Sequence, residues 1–173
     1  MAWEIDPTHS LVEFSVAHLM ISVVKGRFTD VSGSMYLDPK EPTNSWVKVA
    51  VKSESIQTGV PQRDAHLRSA DFFSVSRHPT ITFASTNVEL VDQNHSILTG
   101  NLSLLGVTRS VPLRVEYRGL NRDPLTNAWR VGMCATTTID RRDFGMTFDQ
   151  QNGGVFLVGY RIHIEINAEA VLV

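Results

Sequence analysis

The sequence predicts an all-β fold: an antiparallel meander of about eight strands with one short helical cap segment, stacked as a sandwich or closed as an up-and-down β-barrel. Three observations predict it. Period-2 alternation of apolar and polar residues recurs along the chain, turn residues interrupt it at short intervals, and a single stretch, RDAHLRSADFF over 63–73, has helical character.

Strands are expected at 10–18, where Val12, Phe14, Val16 and His18 form one row, and at 26–37, which contains Phe28. In WVKVAVK, Val47, Val49 and Val51 share a face while Lys48 and Lys52 point the other way. Further strands are expected at 80–91, at 96–105 with Leu98, Gly100, Leu102 and Leu104 in one row, and at 128–140. In VPLRVEYR, Val111, Leu113, Val115 and Tyr117 oppose Pro112, Arg114, Glu116 and Arg118. Gly33, Asp38-Pro39, Asp92-Gln93-Asn94, Gly106, the 121–127 stretch with Pro124, and Gly153-Gly154 are the expected turns.

The C-terminal VFLVGYRIHIEINAEAVLV carries the longest alternation, with Phe156, Val158, Tyr160, Ile162, Ile164 and Ile166 in one row. At about 3.3 Å per residue, the strand would run roughly 55 Å, beyond the usual length, so it must bend, and Gly159 is the expected place. Its two-faced character throughout favours the barrel, and closure also removes exposed edges. An eight-stranded barrel is filled by side chains or holds one small ligand. Gly100 and Gly159 on inward rows would leave a void or mark bulges.

The helical stretch has Pro61 in its first turn, Asp64 and Arg68 at i and i+4, and a thin apolar stripe of Leu67 and Ala70. Ten residues are too few for an isolated helix, so it must dock, with Phe72 and Phe73 as anchors. The expectation is a plug or lid closing one barrel end, with at least one ring inward.

Sixteen basic residues against eighteen acidic ones, scattered along 173 positions, give no clustered basic face, and nucleic acid is excluded as a partner. A chain of this length buries roughly 70% of its surface on folding, and one domain over 1–173 is expected. Cys134 is the sole cysteine, so no intrachain disulfide forms. The opening MAWEIDPTHS shows no leader, which points to the cytoplasm; a mature periplasmic domain with an added Met would read the same.

The histidines at 9, 18, 66, 78, 95 and 163 make no HxH, HxxxH or HExxH pattern, and neither a metal nor a cofactor is expected. No GxSxG, P-loop or GxGxxG occurs, and no catalytic residue is assigned. His18 is a polar contact near the barrel mouth or a hydrogen-bonded core histidine. In IDRRDFGM an arginine meets an anionic head group, or the charges pair within a turn over Phe144.

The ordered segments WEIDPTHS, AHLMISVVKGRF, ESIQTG, RDAHLRSADFF, HPTITFAST, LTGNLSLLGVTRSV, IDRRDFGM and FLVGY resemble the YceI-like, or polyisoprenoid-binding, proteins from about residue 3 to residue 170. Gly159-Tyr160 stands where that family usually has Gly-Asp. The resemblance implies a lipocalin-like barrel whose elongated apolar cavity holds a long isoprenoid or similar long-chain lipid. It also implies that the helical segment is the family's cap, that homodimers are frequent, and that many members are periplasmic.

The expected ligand-lining residues are Phe14, Val16, His18 and Phe28 near the N-terminus, with Val49 beyond them. Leu67, Phe72 and Phe73 come from the cap, Phe83, Leu102 and Val115 from the middle strands, and Phe156, Val158 and Ile162 from the last. A tail exchanged with a bilayer gains little from burial alone, so a carrier or sequestering role with transient membrane contact is expected. The alternatives are an enzyme on a lipid-like substrate, using His18, Asp64, His66 or the Asp140 turn, and a filled structural barrel.

Overall fold

The computed structural model describes residues 1–149 and 158–173 fully, and the backbone alone at 151, 152, 155 and 156. Its strands are β1 (Ala2–Ile5), β2 (Leu11–His18), β3 (Ser22–Phe28), β4 (Val31–Tyr36), β5 (Trp46–Lys52) and β6 (Ile56–Gln57). After helix α1 (Pro61–Arg68) come β7 (Thr80–Leu90), β8 (His95–Leu104), β9 (Val107–Arg122), β10 (Trp129–Asp140), the two-residue β11 (Gln151–Asn152) and β12 (Val155–Phe156), and β13 (Arg161–Leu172).

Three of the expected or unforeseen strands are broken in the middle. Between β1 and β2, Asp6 accepts from the Thr8 backbone N–H at 2.9 Å and hydroxyl at 2.7 Å, and Pro7 has no N–H to offer a ladder. Between β3 and β4 the chain jogs at Thr29–Asp30, and between β5 and β6 it makes a 3₁₀ turn at Ser53–Ser55. Each half still pairs with the matching half of its neighbour: β2 with β3 and β3 with β6, β1 with β4 and β4 with β5. With β1/β2, β3/β4 and β5/β6 each taken as one bent strand, the described residues form a closed, eight-stranded antiparallel barrel in up-and-down order. β13 completes the ring along one edge, pairing Trp3 with Leu172 and, further along, Phe14 with Ile164.

Four expectations need correction. The 26–37 strand is two strands, and Gly33 lies inside β4 rather than in a turn. A Cβ there would sit 2.3 Å from the Lys48 carbonyl oxygen and 2.9 Å from Ile5 Cδ1, so glycine is required by close backbone approach. Because the obstacle is backbone, Gly33→Ala is expected to cost about 2–3 kcal/mol in urea denaturation. Second, the C-terminal strand is interrupted rather than continuous: Val158 bridges His18, the Gly159 N–H bonds to the Ala17 carbonyl at 2.9 Å, the chain bends at Tyr160 and β13 begins at Arg161, so the bend falls beside Gly159 as expected while the long strand starts only after it. Third, Gly100 leaves no void, because the Phe83 ring occupies its side-chain space, 2.4 Å from where a Cβ would stand. A bulge in β7 between Ser85 and Asn87 lies directly opposite. Fourth, Asp64 and Arg68 take separate partners. The turn expected at Gly153-Gly154 lies outside the described residues.

Antiparallel order sorts the connections between two ends. One end carries both chain termini, residues 37–45, the β7–β8 turn at 91–94 and the β9–β10 turn at 123–128. The other carries the β2–β3 hairpin, α1 with its flanks, and the residues after Asp140.

Closure at the first end is latched by Arg130 of β10, whose guanidinium donates to Asp6 at 2.7 Å, Glu169 at 2.7 Å and Asp123 at 2.8 Å. The Arg130 side chain, with help from Thr8 and His9, holds the Asp6 carboxyl far below the usual carboxylate range. The Leu125 backbone N–H, then Thr126 and Arg130, bring Asp123 down to about 2. A carboxyl lowered on folding stabilises the folded state above its unfolded value near 3.9, and that contribution fades as pH falls through the folded value. The melting temperature should therefore drop between about pH 4 and pH 2, and Arg130→Ala should flatten that drop while lowering stability at pH 7. An equally steep acid limb in the variant would count against the latch.

Candidate ligand-binding site

The inward rows do not meet in a solid centre. They enclose a cavity of about 300 Å³ whose lining is almost wholly aliphatic and aromatic. On β13 alone it touches Ile162, Ile164, Ile166 and Ala168, a span of about 20 Å at strand rise, and Val158 lines it beyond them. Spread over that length, the volume makes a narrow channel rather than a globular pocket.

The cap end is built from α1 and the segments around it. Pro61 starts the helix, and Asp64 accepts from the Thr58 backbone N–H at 2.9 Å and from its hydroxyl. Arg68 donates to the Glu54 and Ile56 carbonyls at 2.9 and 2.8 Å, so the two charged groups pin the helix to β6 and the residues flanking it rather than pairing with one another. This tether aims Leu67 at the cavity and sets Phe72 and Phe73 in the turn that follows. Both rings line the cavity: Phe73 packs edge-on against Phe28 at 5.4 Å, and Phe72 against Phe148 at 5.3 Å and His66 at 5.1 Å.

The Asp140 turn contributes the least expected lining residue. Arg142 pairs with Asp140, the shortest contact being 2.6 Å, and Phe144 is buried beneath, as the charge-paired reading of IDRRDFGM required. Arg141, by contrast, is 2% exposed and donates to the carbonyls of Met146 at 2.8 Å, Gly159 at 3.0 Å and Val158 at 3.2 Å. Its guanidinium lies over the Tyr160 ring at 5.0 Å and the Phe72 ring at 5.9 Å. Burial pushes it below the usual arginine value, and Asp149, Tyr160 and Asp140 pull the other way. The side chain braces the cap end of the channel, holding the chain after β10 to the chain before β13.

The other end is different. Leu37, Ser45, Trp46, Val88 and Ser96 line it, and Trp46 is at once part of the lining and 41% exposed. A side chain that faces both the cavity and solvent marks the mouth.

Of the residues expected to line a ligand site, Phe14, Val16, Phe28, Val49, Leu67, Phe72, Phe73, Phe83, Leu102, Val115, Val158 and Ile162 all face this cavity. His18 lies outside the lining and at the capped end rather than the mouth. It is the last residue of β2, bridged to Val158, and the chain turns immediately through Leu19 and Met20, both with φ in the left-handed region. The Phe156 side chain lies outside the described residues. Ile164 and Ile166 were readable from the same alternation as Ile162. Arg141 had no such signal, because an arginine beside a strand end reads as a solvated charge until its carbonyl partners are known.

Residues 3–170 match the family of YceI-like domains. UPF0312 proteins of Pseudomonas aeruginosa and of Pectobacterium atrosepticum are 40% and 41% identical over 141 residues, covering 82% of this chain and 73% and 72% of those proteins. Among solved structures, a Campylobacter jejuni YCEI protein is 28% identical with a TM-score of 0.75, covering 91% of this chain and 90% of that one. Burkholderia cenocepacia BcnA shares the fold at 17% identity with a TM-score of 0.84, covering 95% and 98% of the two chains. A structure described as a polyisoprenoid binding domain from Saccharophagus degradans shares it at 14% identity with a TM-score of 0.71, covering 99% and 98%. Matched across nearly its whole length and carrying the barrel and cap that its relatives' folds share, the chain belongs to the YceI-like family.

Proposed function

We propose that the barrel binds one chain-like apolar lipid, an isoprenoid or a similar amphiphile, and carries or sequesters it without chemical change. The observation that carries this reading is the channel itself: about 300 Å³ of apolar space, capped at one end and open beside Trp46 at the other. An empty space of that kind forfeits the dispersion contacts that a filled core would make, so a ligand of matching shape gains them. The polyisoprenoid binding described for the Saccharophagus degradans structure supports the same ligand class.

The volume stands at the lower end of small-molecule sites, about 300–1,000 Å³. A short prenyl chain fits within it, while a chain of some forty carbons would leave through the mouth. Leaving a bilayer rather than water, such a chain gains little from burial alone, and selection falls to shape and length. Organic extraction of the purified protein followed by mass spectrometry should recover about one chain-like lipid per barrel. Recovery of none, together with no uptake of added farnesol, would remove the proposal.

A further inference from the structure

Exposed large apolar side chains are unevenly placed among the described residues. Met20, Ile21 and Val23 lie on the β2–β3 hairpin and Val60 beside the cap; Trp46, Leu90, Val91, Leu120, Leu125 and Trp129 all lie at the open end. Single exposed apolar residues are ordinary, but a collection surrounding the mouth of an apolar channel is not. The last β8–β9 pair joins His95 to Glu116, whereas β9 continues to Arg122, so about 20 Å of its β8-facing edge is left bare at this end, while the β10 arm stays paired with β13 as far as Arg130 opposite Val171.

The tryptophans say what this rim meets. Trp46 has the Lys48 ammonium 5.5 Å from its ring, and Trp129 has the Arg122 guanidinium at 5.9 Å. An exposed indole beside a long basic side chain suits the headgroup level of a bilayer, where the ring meets the acyl boundary and the cation stays with phosphate and water. We propose that the open end docks on a lipid bilayer, with Trp46 and Trp129 entering the headgroup layer, so that ligand passes between membrane and channel without crossing water. This rests on the carrier reading above.

Vesicles of phosphatidylcholine and phosphatidylglycerol, 3:1, carrying brominated acyl chains test it. Tryptophan emission of the wild-type protein should be quenched, because Trp46 and Trp129 are exposed while Trp3 is buried. Uptake of dansyl-labelled farnesol from such vesicles should accelerate with vesicle concentration. It should slow several-fold in Trp129→Ser/Leu125→Ser, two exposed rim residues outside the channel lining, with equilibrium loading unchanged, and Ile21→Ser, at the capped end, should behave as wild type. No quenching in the wild type, an uptake rate independent of vesicle concentration, or loss of docking in Ile21→Ser alone would overturn the proposal. So would a rim buried between two copies in sedimentation, with vesicles left unbound. Loading without docking leaves the carrier reading intact; docking without loading supports the bilayer contact and sinks the carrier.

Discussion

Arg141→Met should lower stability by about 3–5 kcal/mol, because it strands three inward carbonyls at once and methionine offers none of the lost donors. The three acceptors belong to Met146, Val158 and Gly159, on the segment after β10 and the segment before β13, which this guanidinium fork holds together alongside the Tyr160 hydroxyl donating to Asp149 at 3.0 Å. Lysine keeps the charge but not the planar geometry, so Arg141→Lys should recover only part of the loss. The measurement is the urea midpoint at constant slope. An unchanged midpoint for Arg141→Met would mean that the buried arginine is not the brace of the capped end. The same geometry settles the choice left open by IDRRDFGM: Arg142 is engaged by Asp140 and Arg141 by backbone carbonyls, so neither is held out toward an anionic head group.

Ala135→Trp should weaken farnesol binding at least about tenfold while changing stability by less than about 1.5 kcal/mol, because an indole placed there enters existing empty space instead of forcing a packed core apart. Ala135 faces the channel from the middle of the wall, between Val115 of β9 and Ile166 of β13. Binding by displacement of a fluorescent probe and stability by urea denaturation separate the two outcomes. A filled barrel predicts the reverse pattern, with several kcal/mol of overpacking strain and no binding to lose.

These two substitutions fall on opposite sides of what was legible in the residues. The wall around Ala135 was largely readable, because period-2 alternation is a local consequence of the pleat. Val47, Val49 and Val51, and the run from Ile162 to Ala168, could face only one way once they were strands, and the twin phenylalanines of a helix too short to stand alone had to be anchors. Tyr117 shows the limit: it belongs to the inward row of VPLRVEYR, yet it is 40% exposed, because β8 ends opposite Glu116 and its ladder partner is Met133 of β10 alone on the other side.

By itself the sequence determined which residues are strands, which rows are oily and which segment must dock, since each depends on neighbours a few positions apart. Only the tertiary structure decided which end is open, that His18 falls at the other one, and that Arg141 turns inward. Those outcomes depend on register between strands as distant as β1 and β13 and on where each strand stops relative to its neighbour. Alternation along one strand carries no information about either, because every register that keeps the same face inward satisfies it equally well.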